Sequence, residues 1–214
     1  MRMRKKPWAA NELLANPHIL EPSDHAQRIS KYFNNSRPIH MEIGCGRGRF
    51  INQCAAKNPQ LNYIAIEREP TALATAARLY RETVAKQDDR PSVAFMRLDA
   101  AELPDYFMPG EVSRLYINFC DPWPRKKKWA KRRLTHENFL AIYKSLQISE
   151  IFFKTDNRIL FEFSINQFSK CGWLMQNVSL DLHKSKDEDN IMTEYEEKFS
   201  ALGPIYRLEA YYRT

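Results

Sequence analysis

Four short apolar runs, each closing on an acid or a glycine turn, leave this chain few ways to fold. They are Pro38 to Gly44 (PIHMEIG), Asn62 to Glu67 (NYIAIE), Val93 to Leu98 (VAFMRL, with Asp99 next) and Arg114 to Cys120 (RLYINFC, with Asp121 next). Each has strand length. Between them lie helical patterns, Phe50 to about Lys57 and Thr71 to Lys86, the second rich in Ala, Leu and Arg. Strands alternating with helices predict the α/β class, with a doubly wound, mainly parallel sheet. In such sheets ligands gather outside the carboxyl ends of the strands. Glu42, Glu67, Asp99 and Asp121 then form an acidic rim at that edge. One acid at a strand end is ordinary turn chemistry, so the signal is the fourfold coincidence.

The later chain continues the alternation. Thr135 is the expected N-cap of a helix. Ile151 to Lys154 reads as a fifth strand and Asn157 to Lys170 as a helix. Trp173 to Leu182 and Ile205 to Tyr212 read as late strands, with Lys184 to Asn190 a polar loop between them. No repeat or low-complexity linker interrupts the pattern, so residues 1–214 are expected to form a single domain. Residues 1–20, with Arg2, Arg4, Lys5 and Lys6, are expected to be a flexible basic N-terminal arm.

Charge adds a second constraint. The net charge is +7, from 33 basic and 26 acidic residues. Seven of those cations fall in the nine positions 125–133, and outside that block the chain balances. A local excess of this kind points to one polyanion contact. The apolar runs are too short to span a membrane, and the basic start lacks the apolar core of a secretion signal. The four cysteines include no CxxC pair, which suits a reduced, cytoplasmic protein. The five histidines show no metal-ligand spacing, so no metal is expected.

The basic block follows directly on the fourth strand, in LYINFCDPWPRKKKWAKRRL, Leu115 to Leu134. Proline cannot continue a ladder and biases its predecessor toward extended geometry, so the strand stops at Asp121. A carboxylate (Asp121) and an aromatic (Trp123) beside seven cations suit a planar base held next to a phosphate backbone. A solvated basic loop is the plainer reading, and the DPWP segment argues against it. Cys120 reads as a buried strand residue.

Gly44, Gly46 and Gly48 follow the spacing G-x-G-x-G. The dinucleotide pattern G-x-G-x-x-G needs glycine where this chain has Arg49. Glu42 also precedes the turn, where it would repel a pyrophosphate and attract a cation. Glu67 ends the second strand, placed to accept both hydroxyls of a ribose, and Asp99 is placed to accept from an adenine amino group. A sulfonium, a ribose and an adenine together describe S-adenosylmethionine.

The blocks EIGCGRGRF, YIAIE, NFCDPWPRKKKWAKRRL, FKTDNRILFEFS and TEYEEKFSALGPIYRL, in that order from Met41 to Leu208, make the chain resemble the bacterial tRNA (guanine-N7-)-methyltransferase family, the TrmB type. The resemblance implies a class I S-adenosylmethionine-dependent methyltransferase (Rossmann-like) fold. It implies methylation of guanosine 46 in the variable loop of tRNA, with S-adenosylhomocysteine as the other product. It implies cofactor-binding roles for Glu42, Glu67, Asp99 and Asp121, joined by the glycines 44, 46 and 48, and a catalytic role for Asp121. It implies substrate binding by Arg125, Asp156, Thr193, Glu194, Tyr195 and Glu196, beside the cations Lys126, Lys127 and Lys128. The chain departs from the family pattern in its basic block. Arg125 stands where lysine is usual, Trp129 is present, histidine is absent, and the block is one residue longer before Leu134.

Guanine N7 carries an exposed lone pair and no proton, so its methylation needs positioning more than a strong base. Thr193 followed by Glu196 is also a capping-box pattern, and a helix start is the alternative reading of that segment. Two other functions remain open, methylation of another RNA and RNA binding without catalysis. Both a monomer and a homodimer fit the sequence.

Overall fold

The structure is a computed structural model, and it describes residues 6–21, 25–86, 92–124, 126–185 and 187–212. The chain divides into two compact units, Met1–Met108 and Pro109–Thr214.

In the first unit the elements run α1 (Pro7–Ala15), β1 (Ile19–Leu20), α2 (His25–Phe33), β2 (Ile39–Ile43), α3 (Arg49–Lys57), β3 (Asn62–Ile66), α4 (Pro70–Glu82), β4 (Val93–Met96), a 3₁₀ turn (Ala100–Glu102) and α5 (Leu103–Tyr106). The strand order is β1-β4-β3-β2, and every pairing is parallel. Strands β3 and β4 are buried at every position, as parallel strands covered on both faces require. Met41, Ile64, Leu73 and Phe95 are fully buried, each stabilising by about 1.5–3 kcal/mol. Helix α4 is opened by Pro70 at its first turn and by the Glu69 carboxylate, which accepts from the Ala72 amide at 2.7 Å.

Part of the stretch expected as an N-terminal arm is helical. Pro7 starts α1, which packs on α4. Arg81 of α4 pairs with Glu12 at 3.0 Å, and the Arg78 guanidinium lies 5.4 Å over the Trp8 ring. Two residues, Ile19 and Leu20, then pair with β4 at Phe95 and Met96. Residues 1–5 lie outside the described part.

In the second unit the order is β5 (Arg114–Asn118), α6 (Lys127–Ala130), α7 (Glu137–Ser145), β6 (Glu150–Thr155), α8 (Arg158–Lys170), β7 (Leu174–Ser179), a 3₁₀ turn (Leu182–Ser185), α9 (Glu194–Phe199) and β8 (Tyr206–Tyr211). The strands lie in the order β5-β6-β8-β7. Strand β5 runs parallel to β6, and β8 runs antiparallel to both β6 and β7. The sheet is thus mainly parallel, with its antiparallel pairings at the chain's end. The strand expected from Trp173 to Leu182 is trimmed at both ends, and Leu182 instead begins the 3₁₀ turn.

Thr135 does not cap α7. Its side chain is fully buried, with its hydroxyl 2.7 Å from that of Ser164. His136 is the N-cap, and its Nδ1 accepts from the Asn138 amide at 3.1 Å. Asn157 caps α8 as a side-chain acceptor for the Leu160 amide at 2.8 Å.

Candidate active site

In the first unit the site is built where β2 gives way to α3. Gly44, Gly46 and Gly48 all have positive φ, at 77°, 56° and 80°. The three answer to different needs. A Cβ at Gly44 or Gly46 would meet nothing within 4 Å, so the main chain there borders open space. A Cβ at Gly48 would lie 2.5 Å from the Cβ of Ala76, so Gly48 is required where α3 passes α4.

Glu67 bolts this turn to the end of β3. Its Oε2 accepts from the Gly46 amide at 3.0 Å and its Oε1 from the Glu69 amide at 2.9 Å. Glu42 lies one residue inside β2 and is buried. Burial raises the Cys45 thiol well above its ordinary range, and the nearby charges of Glu42 and Glu67 raise it further. Two carboxyl groups, Glu42 and Glu67, thus flank the glycine turn, an arrangement that suits a cationic ligand better than a pyrophosphate. Asp99 caps the 3₁₀ turn after β4, accepting from the Ala101 amide at 3.0 Å, and it pairs with Arg68 at 3.0 Å.

In the second unit β5 ends at Asn118 and the chain turns through two non-glycine residues with positive φ, Phe119 at 50° and Trp123 at 33°. Such conformations cost roughly 1–3 kcal/mol each and persist where surroundings enforce them. Arg133 is one enforcer. It is buried, its Nε donates to the carbonyls of Pro122 (2.8 Å) and Trp123 (3.1 Å), and its Nη2 donates to Trp123 at 2.6 Å. Trp129 is another, stacked on Trp123 with centroids 5.3 Å apart and planes 10° from parallel. Arg132 lies over both indoles, at 5.1 and 4.8 Å. Of the seven cations, then, Arg133 shapes the loop. Lys126 and Lys128 are exposed. Arg125 and the side chain of Lys127 lie outside the described residues. Asp121 is exposed at the mouth of this loop. Cys120 lies two residues past β5 and is half-buried, not the buried strand residue expected. Desolvation of its thiol, with Asp121 beside it, pushes it up to about 12, which removes it as a thiolate nucleophile near neutral pH.

Thirty-five residues beyond Asp121, β6 delivers Lys154, Thr155 and the exposed Asp156. The segment Thr193 to Glu196 comes back to the same place. Tyr195 donates from its hydroxyl to Asp156 Oδ2 at 2.9 Å, and its ring lies 5.0 Å from Phe119 and 4.3 Å from Phe199. Burial and this bond to Asp156 raise the Tyr195 pKa, so it stays a donor. The capping box is also real. Thr193 Oγ1 accepts from the Glu196 amide at 2.9 Å, and the Glu196 side chain reaches back to the Thr193 amide. Glu196 is fully buried, and Glu194 pairs with Lys198 at 3.0 Å. Of the four residues, Tyr195 is the exposed one that touches another expected site residue.

Sequence reasoning passed over Arg133, the Trp129 stack and Lys154. The signal for Lys154 was present, a lysine inside the apolar run IFFKT, where a buried cation demands a partner.

A parallel sheet with an acid-lined glycine turn after its first long strand and a carboxylate loop after its fourth defines a class I S-adenosylmethionine-dependent methyltransferase. Solved structures agree on the fold. The 16S rRNA methyltransferase KamB superposes with a TM-score of 0.67 at 11% identity, over 90% of this chain and 96% of that one. The 16S rRNA (adenine(1408)-N(1))-methyltransferase from Catenulisporales acidiphilia gives 0.63 at 14% identity, over 90% and 95%. A family profile described as "Putative methyltransferase" matches residues 36–208. The tRNA (guanine-N(7)-)-methyltransferase of Bacillus subtilis is 49% identical over the whole of both chains. That of Staphylococcus saprophyticus is 48% identical over 98% of this chain and 99% of its own. The chain belongs to the tRNA (guanine-N7-)-methyltransferase family.

The residues present fit S-adenosylmethionine. Open space borders the main chain at Gly44 and Gly46, and the acids Glu42 and Glu67 lie beside that turn. Among the described residues, no cluster of His, Cys, Asp and Glu could hold a metal ion. No described helix is long and apolar enough to cross a membrane.

Proposed function

We propose that this chain methylates N7 of guanosine 46 in the variable loop of tRNA. Family membership supports the reaction. The observation that carries the assignment of roles is the convergence in the second unit of the DPWP loop, Asp156 and Tyr195. In this reading Glu42, the turn at Gly44, Gly46 and Gly48, Glu67 and Asp99 hold S-adenosylmethionine in the first unit, and Asp121, in the second, carries the catalytic role. The cofactor supplies an electrophilic methyl on a sulfonium whose departure leaves neutral S-adenosylhomocysteine.

The N7 lone pair forms the new N–C bond as the S–C bond breaks, so no proton must leave N7. Positive charge then grows on the imidazole half of the guanine. Asp121 accepts from guanine N1–H or N2–H and stabilises that charge. Asp156, held by Tyr195, accepts from the same edge of the base or from its ribose. Lys126 and Lys128, with Arg125 and Lys127, neutralise backbone phosphates. The acids Glu42 and Glu67 at the glycine turn, with Arg49 where the dinucleotide pattern needs glycine, disfavour a nucleotide-dependent reductase, and the exposed carboxylates Asp121 and Asp156 disfavour a purely structural RNA-binding role.

Incubation with labelled S-adenosylmethionine and unmodified tRNA, followed by nucleoside analysis, tests the reading. 7-Methylguanosine at position 46 is the expected product. Label in any other nucleoside would overturn it.

A further inference from the structure

We infer that Lys154 is a positioning residue that fastens the Thr193 to Glu196 segment over the end of β6 and thereby sets Asp156. The inference rests on the proposed function, because it names what holds that site's tRNA-facing part together.

The Lys154 side chain is 8% exposed, unlike the solvated lysines of the basic block. Its ammonium has three donors, and three acceptors meet it. Nζ lies 2.7 Å from Glu196 Oε2, 2.9 Å from the Ile191 carbonyl and 3.1 Å from Asn190 Oδ1. One cation therefore gathers the loop before α9 and the first turn of α9 itself. Glu196 completes the knot. Its Oε1 accepts from Asn190 Nδ2 at 2.8 Å and from His183 Nε2 at 3.1 Å, while its backbone amide is capped by Thr193.

The consequence reaches the site through the chain itself. Tyr195 sits between Thr193 and Glu196, and its hydroxyl holds Asp156, which lies two residues past Lys154. On the other side, the Lys154 carbonyl accepts from the Phe119 amide at 2.9 Å, and the Phe119 ring lies against Tyr195. The Lys154 side chain thus ties the segment that carries Tyr195 to the strand that leads into Asp156, and Tyr195 in turn packs on Phe119. Stability alone is a weak reason for a buried ion pair, because desolvation cancels much of the attraction. What the pair does supply is one fixed geometry for the polar loop that leads into α9.

The experiment uses the full chain with unmodified tRNA and compares wild type, Lys154→Met, Asp156→Ala and the double variant, assayed well below their melting temperatures. Lys154→Met is expected to lower kcat/KM for tRNA by about tenfold or more while leaving calorimetric affinity for S-adenosylmethionine within about twofold. In the Asp156→Ala background the same change is expected to cost less than about threefold, because its effect passes through Asp156. Equal losses in both backgrounds, or a Lys154→Met enzyme within about threefold of wild type, would overturn the inference. If Lys154→Met melts too low to assay, Lys154→Met with Glu196→Met replaces the buried pair by apolar side chains. That variant is expected to regain melting temperature but not tRNA turnover, and recovery of both would refute positioning. Hydrogen exchange gives a readout free of activity, with the Ile191 to Glu196 amides exchanging at least about tenfold faster in Lys154→Met. If wild type makes no 7-methylguanosine, the proposed function falls, and the fastening role then stands or falls on that exchange rate.

Discussion

Tyr195 holds Asp156 by a 2.9 Å hydrogen bond across 39 residues of chain, and Asp156 is exposed at the end of β6. A phenol donating to a carboxylate both orients the acid and leaves one of its oxygens for a substrate. Removing only the hydroxyl isolates this relationship. Tyr195→Phe keeps the ring against Phe119 and Phe199 and is expected to lower kcat/KM for tRNA by roughly tenfold, the value of a hydrogen bond to a charged group. Steady-state kinetics at constant S-adenosylmethionine, with a melting curve within about 2 °C of wild type, check it.

Asp121 is exposed and precedes Pro122, so nothing in the core depends on its carboxylate. Asp121→Ala is expected to fold normally and to lose at least about a hundredfold in turnover. Circular dichroism and single-turnover methyl transfer measure the two halves of this expectation. Retention of about a third of the activity would remove Asp121 from the reaction.

The exposed lysines of the basic block are expected to act by charge. Replacing Lys126 and Lys128 with Ala should flatten the dependence of log affinity for tRNA on log salt, by nearly one unit for each phosphate no longer neutralised. Filter binding across a salt series reads the slope. Affinity for S-adenosylmethionine should stay constant.

The glycines of the turn should separate by phenotype. Gly48→Ala drives a methyl group into Ala76 and keeps a left-handed backbone, so it is expected to cost about 2–4 kcal/mol of stability. Gly44→Ala meets open space, so its stability loss should be confined to the backbone cost of about 1–2 kcal/mol. Its larger effect should be on calorimetric affinity for S-adenosylmethionine, since its methyl group occupies the space bordering the main chain. Thermal melts and calorimetry on the two variants give the comparison.

Cys120 lies next to the proposed catalytic acid, yet its thiol is pushed up to about 12. Its fraction of thiolate near pH 8 is negligible, so brief iodoacetamide treatment at that pH is expected to leave methyl transfer intact. Rapid inactivation protected by tRNA would point instead to a covalent role.

Much of the framework that carries the candidate site was legible because its elements are local. The apolar runs located β2, β3, β5 and β6 to within a residue or two, and the capping box could be read because its partners lie three residues apart. The missed features depend on distant partners. Thr135 has the composition of a cap, but its hydroxyl finds Ser164, 29 residues away. Helix α1 buries only Ala9 among its residues, so no apolar stripe announced it. Strand β1 is two residues long and exists through its pairing with β4. The resemblance implied roles for Asp156 and Tyr195 separately, and their bond could be found only once β6 and α9 were placed.

The grip of Arg133 on the Pro122 and Trp123 carbonyls divides the basic block into two kinds of position. A guanidinium presents donors in a rigid planar fork, which here meets the Pro122 and Trp123 carbonyls, whereas an ammonium is a compact charge on a flexible stem. Lysine is therefore no substitute for arginine at 133, although it carries the same charge. At 126 and 128, where side chains meet solvent, the two residues should interchange with little effect. Across relatives, drift between lysine and arginine should be free at 126 and 128 and forbidden at 133, where shape is selected and charge is incidental.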